Sequence, residues 1–209
     1  ITSIAAYAFD GIQAEISIPL SVTEIGRNAV SVSKLPNYSG TTAQWLAVNF
    51  DFAADHTHGA GAICNDGTVL DLGVCGDFTP EGTARYALAG DGCLRIYGAG
   101  QVTSAPWILD KDKITTVTIE EGITSVCENA FQNCTKLTAV TFPETMTSVG
   151  AGAFGGCAGL KTVHYAGTKE QWSQVQIGEN NQALENAALV YPQSHICTLE
   201  KVEEVPATC

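Results

Sequence analysis

One short motif recurs in this chain at a fixed interval, and that period decides what the chain can fold into. Ile114-Thr115-Thr116-Val117-Thr118-Ile119 returns 23 residues later as Leu137-Thr138-Ala139-Val140-Thr141-Phe142 and again as Leu160-Lys161-Thr162-Val163-His164-Tyr165. Ile123-Thr124-Ser125-Val126 likewise returns as Met146-Thr147-Ser148-Val149, and Ala130-Phe131-x-x-Cys134 as Ala153-Phe154-x-x-Cys157. A unit this short cannot close a core alone, so its apolar face must be covered by the next unit stacked upon it. Within a unit, Val117, Ile119 and Val126 are expected to point inward from short extended segments, and Ala130-Phe131 to begin a compact turn.

The N-terminal part carries a shorter version of the same unit. Ile1-Thr2-Ser3-Ile4 and Ala8-Phe9 are followed 21 residues later by Val22-Thr23-Glu24-Ile25 and Ala29-Val30. The chain opens inside a repeat, so further coils are expected before Ile1. A longer match, at an offset of 127 residues, ties Tyr38-Ser39-Gly40-Thr41-Thr42-Ala43-Gln44-Trp45 to Tyr165-Ala166-Gly167-Thr168-Lys169-Glu170-Gln171-Trp172. Thr41 with Gln44, and Thr168 with Gln171, have the spacing of a capping box. Each Trp falls at the fourth helical position, where it would lie over the last coil, so both segments read as helical end caps. Trp172 is expected to be a buried aromatic whose truncation costs about 3–5 kcal/mol.

Between the two arrays, Gly67-Thr68-Val69-Leu70-Asp71-Leu72, Ala84-Arg85-Tyr86-Ala87-Leu88 and Leu94-Arg95-Ile96-Tyr97 are strand-like runs separated by turns such as Gly90-Asp91-Gly92. The expected layout is the end of a first array with its cap over residues 1–64, a small β-meander over 65–110, a second array with its cap over 111–191, and a linker or the start of another module over 192–209.

The pattern Ile123-Thr124-Ser125-Val126-x-x-x-Ala130-Phe131-x-x-Cys134-x-x-Leu137 resembles the BspA-like leucine-rich repeat family of bacterial surface proteins. The stretch from Tyr165 to Trp172 is similar to the cap that often closes such arrays, and Cys75-Gly76-Asp77 through Gly98 resembles the β-element often found before them. The tail Val205-Pro206-Ala207-Thr208-Cys209 resembles the opening of a further extracellular repeat. The resemblance implies an α+β solenoid: two short leucine-rich-repeat arrays with helical end caps, joined by the meander. It also implies secretion, attachment to a bacterial cell surface and an adhesin-like role, and it brings no catalytic, cofactor or metal residue with it. The first array departs from the pattern in its spacing and in Val30, which stands where Phe is expected.

Charge narrows the partners. The 22 acidic and 10 basic residues give a net charge of −12, which repels nucleic acid and anionic lipid surfaces. No apolar run approaches the roughly 18 residues of a membrane span. Eight cysteines are spread over 209 residues without a CxxC pair, which argues against a structural zinc site. Cys127, Cys134 and Cys157 fall in the repeat and are expected to be thiols packed between coils. The pairing of Cys64, Cys75, Cys93, Cys197 and Cys209 stays open.

Several patterns invite a chemical reading that their context weakens. His56-x-His58, with Asp51 and Asp55, has the residue types of a zinc or nickel site, yet a loop rich in Ala and Gly carries incidental histidines equally well. Gly150-Ala151-Gly152-Ala153-Phe154-Gly155 has dinucleotide-loop spacing, but its glycines fall on repeat positions occupied one unit earlier by Cys127, Asn129 and Gln132. Glu120-Glu121 occupies a turn, and adjacent side chains on an extended segment diverge. Cys197 near His195 lies in the polar tail with nothing to orient it.

The expected functional feature is therefore a surface. Stacking lines up Thr118, Thr141 and His164 in one row, Thr116, Ala139 and Thr162 in a second, and Thr115, Thr138 and Lys161 beside them. Threonine also simply suits exposed strands. The reading favoured is a non-enzymatic adhesin or display module without a cofactor, whose partner is an extracellular protein or glycan. Thr116, Thr118, Thr141, Thr162 and His164 form its contact face. The alternatives are an architectural spacer and, less favoured, a hydrolase with its site in the 50–64 insert.

Overall fold

The computed structural model describes residues 1–27, 29–30, 35–51, 61–76 and 83–192. The 50–64 insert, with His56 and His58, and the tail bearing His195, Cys197 and Cys209 fall largely or wholly outside them. In chain order the first part contains β1 (Ser3–Ile4), β2 (Ser17–Ile18), β3 (Glu24–Ile25), β4 (Asn37–Tyr38), helix α1 (Thr42–Leu46), β5 (Asn49–Phe50) and β6 (Ala62–Cys64). The long strands β7 (Gly67–Val74), β8 (Arg85–Ala89) and β9 (Cys93–Tyr97) follow. After β10 (Gly100–Gln101) and a 3₁₀ turn over Pro106–Asp110 come β11 (Thr116–Ile119), β12 (Ile123–Val126), β13 (Ala139–Phe142), β14 (Ser148–Val149) and β15 (Thr162–Tyr165). Helix α2 (Lys169–Trp172), β16 (Gln176–Ile177), helix α3 (Gln182–Asn186) and β17 (Ala188–Val190) complete the series.

These strands form a repeat-rich, mostly β structure with a few short helices. One sheet of ten strands runs in the order β17-β15-β13-β11-β9-β8-β7-β6-β4-β2, and two smaller sheets, β1-β3-β5 and β10-β12-β14-β16, lie across the cores from it. Within each array neighbouring strands are parallel, and the register reproduces the sequence period: Val117 faces Val140, and Val140 faces Val163. Between the arrays the pairings β6–β7, β7–β8 and β8–β9 are antiparallel. The last strand of the meander is also a rung of the second array, because β9 pairs in parallel with β11 and sets Leu94 against Val117 and Ile96 against Ile119.

Alternation along these strands sorts the apolar side chains into two cores. Tyr86, Leu88, Leu94 and Ile96 belong to the core that contains Val117, Ile119, Ala130, Phe131 and their repeats. Leu72 and Ala87 belong instead to the core built on Ile18, Ile25, Tyr38 and Trp45. Since Tyr86 and Ala87 are neighbours on one strand, the two cores lie on opposite faces of the shared sheet.

A spine of rings runs through the second core. Trp107 stacks on Phe131 at 5.5 Å and Phe131 on Phe154 at 4.9 Å, with Tyr86 meeting Trp107 edge-on at 5.3 Å. The indole of Trp107 donates a hydrogen bond to the Ala130 carbonyl at 2.8 Å, which satisfies its only polar group in the interior. The turn at each Ala-Phe step needs left-handed backbone, supplied by Asn129 and Asn133 (φ 58° and 60°) in one coil and by Gly152 and Gly156 (φ 63° and 72°) in the next. Asn and Gly are the residues that take this conformation at least cost.

Cys134 and Cys157 sit beside this spine as free, buried thiols, and the Cys157 thiol lies 3.0 Å from the Phe131 carbonyl. Cys127 is free but only half-buried. Burial pushes the Cys134 thiol up to about 12, helped by the neighbouring Cys157, and raises Cys157 itself to about 11.

Both expected capping boxes form: the Thr41 and Thr168 hydroxyls accept from the backbone N–H of Gln44 and Gln171, whose side chains accept in return from the cap N–H. Gly40 and Gly167 precede the caps in equivalent places, where an added Cβ would lie 2.5 Å and 2.7 Å from the rings of Tyr38 and Tyr165. The helices do not end the stacks. After α1 the chain continues into β5 and β6, and after α2 into β16 and β17, so each helix is a crossing segment followed by a further rung. The two Trp residues also differ. Trp45 is fully buried between Tyr38 and Phe50, whereas Trp172 rests on Phe142 and Tyr165 and stays half-exposed. The burial expected of Trp172 is thus found at Trp45.

Two measurements check this packing. Trp45→Ala should lower unfolding free energy in denaturant titrations by about 3–5 kcal/mol, and Trp172→Ala by distinctly less. Both Cys134 and Cys157 have folded pKa values above the roughly 8.5 of a free thiol, so the unfolded chain loses these protons first as pH rises. Stability should be unaffected by them below pH about 8.5 and fall from there to pH about 11 for Cys157 and about 12 for Cys134. Under reducing conditions, Cys134→Ala/Cys157→Ala should flatten that alkaline fall by up to about 1.4 kcal/mol per pH unit for each thiol removed.

Candidate binding face

Parallel stacking brings the outward-facing residues of β9, β11, β13, β15 and β17 into rows. Thr118 pairs with Thr141 and Thr141 with His164, while Arg95 extends the row at one end and Val190 at the other. A second row runs Cys93, Thr116, Ala139, Thr162, Ala188. Five strands at about 4.8 Å make each row roughly 19 Å long. The predicted residues Thr116, Thr118, Thr141, Thr162 and His164 therefore share one surface.

The third row behaves differently. The Thr138 hydroxyl donates to the Thr115 carbonyl at 3.1 Å, and Thr115 to the Asp91 carbonyl at 3.2 Å, so these groups bind successive coils together. Among the described residues, the hydroxyls of Thr116, Thr118, Thr141 and Thr162 have no such partner, which leaves them directed at solvent.

Arg95 continues the period, since Leu94-Arg95-Ile96 stands 23 residues before Val117-Thr118-Ile119, but the arginine breaks the run of threonines that marks the row in sequence. Its guanidinium binds Glu120 through Nε at 2.9 Å and Nη2 at 2.5 Å and lies 6.0 Å from the centre of the Tyr97 ring. Glu120 is thus held by an arginine. Its neighbour Glu121 points elsewhere, accepting from the Glu144 N–H at 3.1 Å. Burial raises the Tyr97 phenol pKa against the opposing pull of Arg85 and Arg95. The face accordingly has a charged, anchored end at Arg95 and Glu120 and a neutral hydroxyl-rich middle.

Gly150 and Gly152 each answer a need of the coil itself. Gly152 takes the left-handed turn, and an added Cβ on Gly150 would lie 2.5 Å from the Glu128 nitrogen of the preceding coil. Among the described residues, no three His, Cys, Asp or Glu side chains gather into a metal-binding cluster, and no helix is long and apolar enough to cross a membrane.

A coil repeat of this length, with parallel strands in register on one side and compact Ala-Phe turns on another, defines a leucine-rich-repeat protein. Six copies of the BspA type leucine rich repeat region match residues 1–43 and 107–189, and the chain belongs to that family. No curated protein matches it. Among solved structures it is similar to a leucine-rich repeat protein from Eubacterium ventriosum, with 30% identity and a TM-score of 0.40 over 48% of this chain and 26% of that one. It is also similar to a leucine rich cell surface protein from Faecalibacterium prausnitzii, with 16% identity and a TM-score of 0.33 over 84% of this chain and 60% of that one. The chain thus spans 26% and 60% of the lengths of these two proteins.

Proposed function

We propose that this chain is a non-enzymatic binding module of a bacterial cell-surface protein and that the strand face around Thr118, Thr141 and His164 contacts an extracellular protein or glycan. The observation that carries this reading is the row of unspent hydroxyls held in register on a stiff parallel sheet. Such groups offer hydrogen bonds with little ordering cost on association. Thr116 and Thr162 widen the face, and the Arg95–Glu120 pair gives it a polar end. Affinity for one short array is weak in this reading, so repeated arrays act together through multivalency. Membership of the BspA-type family supports the surface location and the adhesin-like role. The organisation belongs to the same proposal: a first array over 1–64, a meander over 65–110, a second array over 111–191 and a linker or further module over 192–209.

The unbroken ten-strand ladder favours one other reading, a spacer that holds another module away from the wall. The two readings separate in one experiment. Thr118→Glu/Thr141→Glu/His164→Glu should abolish adhesion of the protein to its target surface while leaving its melting temperature nearly unchanged. Normal adhesion by this folded variant would favour the spacer.

A further inference from the structure

The Ala-Phe turns of successive coils are joined by a hydrogen-bond ladder of their own, and it runs in one direction. Each turn donates and the next coil accepts: Asn129 N–H to the Ala151 carbonyl at 3.0 Å, Phe131 to Ala153 at 2.7 Å and Asn133 to Gly155 at 2.7 Å. The first array follows the same rule, with Tyr7 N–H bonded to the Arg27 carbonyl at 2.8 Å and Phe9 to Ala29 at 3.0 Å. A ladder with a direction has two unlike ends. Its first turn presents carbonyls that no earlier turn supplies with a donor, and its last turn N–H groups that no later turn supplies with an acceptor. Buried groups of either kind cost stability when left unpaired.

Trp107 closes the first end in the second array. The Ala130 carbonyl is the repeat equivalent of the Ala153 carbonyl, which accepts from the preceding turn, and it accepts instead from the Trp107 indole N–H at 2.8 Å. An indole carries one donor and no acceptor. Its ring stacks on Phe131 at an interplanar angle of 16°, as Phe131 stacks on Phe154. One fully buried side chain thus supplies both the ring and the N–H of a preceding turn.

Asn181 closes the other end with the opposite chemistry. Gly152 N–H still reaches a backbone carbonyl, that of Glu179 at 2.7 Å. Phe154 N–H, the equivalent of Phe131 N–H, donates to the Asn181 side-chain oxygen at 2.9 Å. The amide nitrogen of Asn181 donates in turn to the Gly150 and Gly178 carbonyls at 3.0 and 2.8 Å. Asn181 is fully buried, and the chain after it leaves the turn path for helix α3, whose Leu184 enters the core.

We propose that Trp107 and Asn181 are paired stops that seal the turn ladder of the second array. Trp107 stands in for the donor of a coil before it, and Asn181 for the acceptor of a coil after it. A further Ala-Phe coil could join at either end only by displacing one of them. The pair therefore limits the array to its two turns and limits the extent of its strand face, whatever that face contacts.

The test is hydrogen exchange followed by NMR on the isotope-labelled chain. Sealed ends do not fray, so the Phe131 amide, the Phe154 amide and the Trp107 indole should exchange at similarly slow rates, within about a factor of ten. Asn181→Leu removes the acceptor and keeps most of the volume. Exchange at Phe154 should then rise about tenfold or more relative to Phe131, and its amide proton resonance should move upfield. Trp107→Phe keeps a ring against Phe131 and removes the N–H, so the opposite end should fray and exchange at Phe131 should rise relative to Phe154. A side chain that served only as packing would change both amides alike. Equal changes at the two amides in either variant would overturn the proposal, as would a Phe154 amide or Trp107 indole that exchanges far faster than Phe131 in the unaltered chain. Should neither variant fold, the rates of the unaltered chain decide alone.

Discussion

Everything in this molecule rests on the backbone ladder between successive coils. Strands of two to four residues, such as Ser148–Val149 or Thr116–Ile119, are too short to persist alone, and each is held by a parallel neighbour on one or both sides. The ladder also fixes side-chain identity. A slip of β13 by one residue against β11 would put Ala139 and Thr141 in the core and Val140 and Phe142 in water. The 23-residue period is therefore a register, and the ring spine, the thiol pair and the outer rows are three readings of it.

The meander does more than join two stacks. Rungs accumulate in one direction along the ten-strand sheet, from β2 to β17. Parallel crossover connections share one hand. Three antiparallel pairings between β6 and β9 reverse the strand direction, so a coil of unchanged hand must place its core on the other side of the sheet. The assignment of Tyr86 and Ala87 to different cores shows that it does. The exposed strand faces swap with the cores: Asn37 and Ile63 are exposed on one side, Arg95 and His164 on the other.

Much of this was legible in the sequence because periodicity reports register directly. The rungs at Val117, Val140 and Val163, the inward Phe131 and Phe154, and the capping boxes at Thr41 and Thr168 are all in their expected places. Periodicity does not report what lies beyond a unit. Trp45 and Trp172 occupy the same repeat position, yet their burial differs because it is set by what packs over each ring. The rung at Leu94 and Ile96 was hidden because it shares its strand with the meander, and Trp107 because it stands 24 residues before Phe131, where a different ring fills the place. The swap of faces depends on the number of reversals between arrays, which no single motif encodes.

The long sheet has a mechanical consequence. Its inter-strand hydrogen bonds lie along the stacking axis, so tension applied between the two ends loads them in series, one ladder at a time. Neighbouring strands then part by unzipping, the weakest junction first, while the remaining coils keep their own pairings. The single-position pairing of β4 with β6 and the two-residue pairing of β2 with β4, at the thin end of the sheet, would yield before the five-position pairing of β7 with β8. Under load the molecule would behave as an extensible spring that pays out chain from its first array and keeps the broad meander intact.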